Sequence, residues 1–356
     1  MKAVLQGTTV AQRKRALDSI KDGAELGDAY GVTLERVKAQ DKKKTKLAMA
    51  TLTWVCHSER PLQVDELCHA LAVEIGATDF HCENIPSIVT LLQCCQGLIT
   101  VDEEASTVRL IHHTLREYLC ALPGLFSNSH SILAETCLTY LNSQQVKDLP
   151  SHSLPDHQSI PFLKYSSRYW GIHAKKELSD HARTLALELL GHYEDHVSAI
   201  SLLEQVLHPK YIRGIAASLF FSGLHCASCF GIVDLVTALL NGEGYKINQQ
   251  DCAGSTPLSW AAENGHREAA KILLEQQNVD PNLPRKNDRT PLGCATIEGH
   301  AGVVKLLLER EDVDPNRPDK YAQTPLRCAA VEGHEGMVKL FLEREDIDPN
   351  RQDKND

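Results

Sequence analysis

The chain has 356 residues, 42% of them hydrophobic and 24% charged, with a formal net charge of −10. That balance supports buried cores in two or three domains and excludes a disordered, collagen-like or basic chromatin-type protein. Twelve cysteines are too sparse for a small disulfide scaffold. Val10 to Arg15 turns basic without an apolar core, so no secretory leader is expected. The expectation is a cytoplasmic protein with reduced thiols and no nucleic-acid partner.

In chain order, Val32 to Gln40 is predicted as an amphipathic helix with Leu34 and Val37 on one face. A lysine hinge, Lys42-Lys43-Lys44, precedes an apolar helix from about Leu47 to Cys56. Arg60-Pro61-Leu62 marks a turn, and Val64 to Val73 a second helix. Asn84 is the expected cap of a third, Ile88 to Cys95, which Gly97 ends. Leu98 to Val101 and Val108 to Ile111 read as two strands around the acidic turn Asp102-Glu103-Glu104. A helix over about Thr114 to Ala121 follows. Three helices and a ribbon, over 46–125, is the order of a winged helix. The helix before the ribbon, Pro86 to Gln96, has no Lys or Arg, and the wing is acidic, so DNA readout is not expected.

Several short motifs here resemble the region downstream of the NACHT module in fungal NOD-like receptor proteins. They are Asp28-Ala29-Tyr30 with Thr33-Leu34-Glu35-Arg36, Arg60-Pro61-Leu62 with Asp65-Glu66-Leu67, Gly97-Leu98-Ile99 with Val101-Asp102-Glu103, and Ile111-His112 with Glu117-Tyr118-Leu119. The likeness covers about residues 10–125, with 1–45 as the end of a NACHT-associated helical region. It implies a signalling role, in innate immunity or heterokaryon incompatibility. In that family a histidine opening the last helix of the winged domain meets a nucleotide phosphate, and His112 matches the place. The chain has no Gly-Lys dipeptide and hence no P-loop. His112 is therefore expected to be structural, and cofactor-binding only if a NACHT chain joins in trans. In that family the winged helix is often labelled by similarity to part of a lipid-anchor deacylase. With no G-x-S-x-G elbow, that label carries no deacylase chemistry, so no catalytic residue, cofactor or metal is expected.

Residues 126–212 read as a helical spacer. Ile132 to Leu141 is a helix, 142–161 a proline-punctuated loop, and Phe162 to Ala174 a helix bearing Tyr165, Tyr169 and Trp170. Thr184 to His192 and Val197 to Leu207 complete it. Its aromatic residues read as a packed core, with an aromatic ligand box as the alternative.

From residue 213 the chain repeats. Thr256-Pro257-Leu258, Thr290-Pro291-Leu292 and Thr324-Pro325-Leu326 recur every 34 residues, as do Gly265-His266, Gly299-His300 and Gly333-His334. Thr caps a helix that Pro opens, and Gly closes it. The pattern resembles the ankyrin repeat over 251–284, 285–318 and 319–352, with a degenerate first unit over 218–250 and a truncated end. Gly214 to Leu240 is nearly all apolar, but His225 and Asp234 interrupt it, so two repeat helices are expected rather than a membrane span. His225-Cys226 with Cys229 has half the spacing of a zinc site, and a packing role is expected instead. Asp288 and Ala322 stand where Gly254 makes the turn, and Ala322 should cost about 1 kcal/mol there.

The overall expectation is a mainly α chain: helical and winged-helix module, spacer, ankyrin solenoid. Its function would be non-enzymatic protein binding on the concave face, as scaffold or sensor. The alternative is the regulatory half of an ATPase whose NACHT module sits in another chain. Positions that vary on a constant frame nominate Ser255, Arg289 and Gln323, Ser259 and Arg327, and Asn287, Tyr321 and Val331 as protein-binding residues.

Overall fold

The computed structural model describes residues 23–150, 160–206, 220–242 and 244–349. The basic start at Val10 to Arg15, part of the proline loop, the first part of the apolar run from Gly214, and the chain end from Asn350 lie outside them. Among the described residues the fold is mainly α with one small sheet. It forms two compact units, 23–146 with 160–177, and 147–150 with 178–349. The expected spacer is thus divided between them.

In the first unit, α1 (Gly23–Lys38) and α2 (Lys42–His57) are separated by a short break. The lysines expected as a hinge instead form the first turn of α2. Asp41 caps them, its Oδ1 accepting from Lys44 N at 3.0 Å, which also lowers the carboxyl's pKa. A short strand β1 (Leu62–Gln63) then leads into α3 (Val64–Ala72). Helix α4 (Ile88–Cys94) is capped by Ser87, not Asn84, which ends a 3-10 turn. Strands β2 (Ile99–Asp102) and β3 (Thr107–Leu110) form the ribbon. The sheet order is β1-β3-β2, antiparallel, with Leu62 opposite Val108 and Ile99 opposite Leu110. The segment expected as a plain turn after Arg60 is therefore the third strand of a winged helix.

Helix α5 (His113–Ala121) follows, then α6 (Ser129–Leu141), the short α7 (Gln144–Lys147) and α8 (Leu163–Lys176). Helices α6 and α8 pack on the winged domain through an aromatic core. Trp54 meets Phe162 and Tyr165 edge-on, with ring centroids 5.5 and 5.7 Å apart. Rings of this size each bury about 150–250 Å². The spacer's aromatic residues are thus largely core.

The second unit opens with α9 (Asp180–Gly191) and α10 (Val197–Val206). Four helix pairs follow: α11 (Gly223–Phe230) and α12 (Val233–Leu240), α13 (Pro257–Glu263) and α14 (Arg267–Leu274), α15 (Pro291–Ile297) and α16 (Ala301–Leu308), α17 (Pro325–Val331) and α18 (Glu335–Leu342). The stretch expected as a degenerate first repeat forms the helix pair α11 and α12. The apolar run divides at Gly231, in the left-handed region at φ 68°. No helix among the described residues is long and apolar enough to cross a membrane. Helix α9 covers the exposed flank of the first repeat so closely that a Cβ on Gly223 would lie 2.2 Å from Leu190 O. It caps the stack, which a solenoid needs at its end.

Three ladders at the 34-residue period join the repeats. His266, His300 and His334 bond through Nε2 to the carbonyls of Cys229, Glu263 and Ile297, at 2.9, 2.9 and 3.0 Å. Asn248, Asn282 and Asn316 each accept from the backbone N–H of Asp280, Asp314 and Asp348, and donate to the carbonyls of Asn278, Asp312 and Asp346. Arg310 and Arg344 donate to the carbonyls of Leu274 and Leu308. The turn residues behave as expected: Gly254, Asp288 and Ala322 have φ of 80°, 60° and 61°.

Candidate protein-binding surface

The nominated residues separate into three groups. Tyr321 is 57% exposed, Val331 65%, and Arg327 is exposed beside them. Arg327 and Val331 are four residues apart on α17, hence on one face. Tyr321 stands at the tip of the same repeat, held by its N–H donating to Asp319 Oδ1 at 2.9 Å. The Lys320 ammonium lies 4.8 Å from the Tyr321 ring centroid. An aromatic, a cation and an aliphatic side chain are thus all exposed on one repeat.

Asn287, Arg289 and Gln323 are partly covered and engaged in the frame. Asn287 Oδ1 accepts from Arg289 N at 3.3 Å, and Arg289 Nη2 reaches Asp319 Oδ2 at 3.2 Å. Gln323 N donates to Asp319 Oδ1 at 3.1 Å.

Ser255 and Ser259 are fully buried, which corrects their nomination. Ser259 Oγ pairs with the Thr256 cap at 3.0 Å. The reason is visible in the first repeat, where His225 holds the position equivalent to Ser259. His225 Nδ1 accepts from Ser222 N, and its Nε2 donates to Gln249 O and Ser255 O at 2.9 and 3.2 Å. The next turn therefore lies over this position and turns it inward. Burial holds the His225 pKa down, against the pull of Asp251 and the two carbonyls. His225, Cys226 and Cys229 are all buried packing residues, and the cysteines' thiols are pushed up by desolvation. None of the chain's twelve cysteines is in a disulfide.

Between the second and third repeats lies a feature the 34-residue comparison did not single out. Asp251 and Asp319 bond turn N–H groups, but the equivalent residue of the third repeat is Arg285. Its guanidinium forms a two-pronged pair with Glu263, one prong being Nη1 to Oε1 at 2.8 Å. It also stacks 5.5 Å from the Trp260 ring centroid. Trp260 Nε1 in turn donates to Asp251 Oδ2 at 2.8 Å. Trp260 stands where the other repeats have Cys, Glu263 where they have Cys229, Ile297 and Val331, and Arg285 where the second and fourth have Asp; the three form one unit.

The first unit has two concentrations of chemistry. A cleft of about 350 Å³ is lined by Arg60, Arg109, His112, His113 and Arg116 with Glu59. His112 caps α5 there: its Nδ1 accepts from Thr114 N at 3.3 Å. Arg109 pairs with Asp102, and Arg60 with the buried Glu66. Beside the cleft lies a histidine cluster with no spacing signal in the sequence. His130 Nδ1 and His173 Nδ1 are 2.9 Å apart, and Tyr165 Oη lies 2.9 Å from His173 Nε2. Glu59 Oε1 is 3.9 Å from His173 Nδ1, and the His57 ring stands 5.4 Å from that of His130. Burial, reinforced by neighbouring cations, pushes His173 down to about 3 and His57 down to about 4, so both are neutral at pH 7.

Comparison with protein families agrees with both units. Residues 34–128 match the winged helix domain of GPI inositol-deacylase. Residues 224–319 and 277–353 match ankyrin repeats, in three copies. The chain thus carries ankyrin repeats behind a winged-helix domain of the GPI inositol-deacylase type.

Proposed function

We propose that the chain is a non-enzymatic, cytoplasmic interaction protein, the ankyrin sensor part of a fungal NOD-like-receptor-type signalling protein. The carrying observation is the joint exposure of Tyr321, Arg327 and Val331 on one repeat whose backbone three ladders hold rigid. A rigid frame lowers the ordering cost of association, and aromatic and arginine side chains dominate interface energetics. Reversible binding of a protein partner there would act by scaffolding, or by signalling to a nucleotide-driven module. The test is affinity capture with the wild-type chain and with Tyr321→Ala/Arg327→Glu/Val331→Asp. A partner held by the first and lost by the second supports the reading, provided both melt alike. Identical capture by both chains overturns it.

The cationic cleft around His112 favours a second reading, the regulatory half of an ATPase completed by a NACHT chain in trans. ATP hydrolysis appearing only on mixing the two chains, and falling with His112→Ala, would support it.

A further inference from the structure

We propose that His130, His173 and Glu59 form a binding site for a zinc-type divalent transition-metal ion. The three donor atoms, two imidazole nitrogens and one carboxylate oxygen, lie within 4.8 Å of one another. Two nitrogens about 2.0–2.1 Å from a common tetrahedral ion are about 3.3 Å apart. The separations here, 2.9 Å between the Nδ1 atoms and 3.9 Å from His173 Nδ1 to Glu59 Oε1, bracket that value. The third separation, between the His130 and Glu59 donors, lies within 4.8 Å, so the donors close on a common ion by at most about 1.5 Å.

The surroundings suit the chemistry. Two imidazoles and one carboxylate are a donor set for borderline divalent ions, and they leave a fourth position for water. A ligating histidine usually spends its second nitrogen on an oriented partner, and His173 Nε2 has one in Tyr165 Oη. Tyr165 is itself fixed, because it accepts from Glu59 N at 3.1 Å and Arg60 lies 5.3 Å from its ring centroid. The same pair of contacts anchors Glu59. His173 is fully buried, while Glu59 is partly exposed and gives the ion an entry route. The cluster also holds an incomplete group: His57 Nε2 is buried with no hydrogen-bond partner among the described residues. One cation already competes for the carboxylate, since Lys176 Nζ lies 2.6 Å from Glu59 Oε1. Lys176 is close to half exposed and is free to swing into solvent when a divalent ion takes its place. An ion here would tie the end of α2 to the start of α6 and the end of α8.

The test uses the tag-free full chain, stripped with a chelator and titrated calorimetrically with ZnCl2, then with Co2+ to read the visible bands of four-coordinate cobalt. One Zn2+ per chain at micromolar affinity is expected. Glu59→Gln and His173→Gln should each weaken binding at least tenfold, and Tyr165→Phe by tenfold or more. Lys176→Ala should tighten it several-fold, a gain that a purely structural lysine would not produce. If His173→Gln fails to fold, the partly exposed Glu59→Gln still decides. Absence of binding at tens of micromolar Zn2+, or binding that Glu59→Gln and Lys176→Ala leave unchanged, overturns the proposal.

Discussion

Arg285 is the sharpest test of how the second and third repeats hold together. The substitution is Arg285→Met, which keeps the unbranched stem and removes the guanidinium. Side-chain exposure is 12% for Arg285 and 29% for Glu263, so the pair is mostly desolvated. Breaking such a pair by deleting one partner costs about 3–5 kcal/mol when the survivor is stranded. Glu263 retains enough solvent contact to recover part of that. Arg285 Nε is buried without a partner among the described residues, and its removal returns about 1 kcal/mol more. Loss of the Trp260 contact adds about 1 kcal/mol back to the cost. The net expectation is a destabilisation of about 2–3 kcal/mol, or about 4–12 °C in Tm for a unit of this size. Urea unfolding of Arg285→Met, Glu263→Gln and the double variant reads it. The cycle should show coupling of about 1–2 kcal/mol. A single variant within about 0.5 kcal/mol of wild type, or strictly additive effects, would refute the reasoning.

Two further outcomes follow from the repeats. Ala322→Gly relieves a left-handed alanine at φ 61° and should stabilise the chain by about 0.5–1 kcal/mol, after the entropy cost of glycine; an unchanged or lower melting temperature would contradict this. His225 is buried and neutral, with its pKa held below the ordinary 6.5. The unfolded chain therefore takes up the proton first. Stability from this group is complete above pH 6.5 and falls as pH drops below it, by up to about 1.4 kcal/mol per pH unit. Hydrogen exchange across 223–262 at pH 7.5 and 5.5 should show the loss, and His225→Gln should flatten it. An equal acid response in both chains would remove His225 as the cause.

What was legible in the sequence follows from where each constraint acts. The Thr cap, the Pro start and the Gly-His step are local requirements, and the repeat imposes them again every 34 residues. Even the decayed first repeat kept Gly231, because a Cβ there would lie 2.3 Å from His266. The lysines that open α2 suggest a hinge by their charge, while the side chain of one residue, Asp41, starts the helix. Strand β1 was illegible because two residues carry no alternation, and only the pairing of Leu62 with Val108 makes them a strand. The exposure of the nominated residues was half legible, and the failure is instructive. The position shared by His225, Ser259, Gly293 and Arg327 varies among repeats, which reads as a recognition surface. In the first three it is buried, and at His225 it bonds the carbonyls of the following turn, so variation there does not mark an open surface. Only Arg327 is exposed. The histidine cluster left no trace at all, because its members converge only when the ends of α2, α6 and α8 pack around Tyr165. Variation on a constant frame marks recognition only where the frame also leaves the position open, and in this chain that criterion selects Tyr321, Arg327 and Val331 from the eight nominated residues.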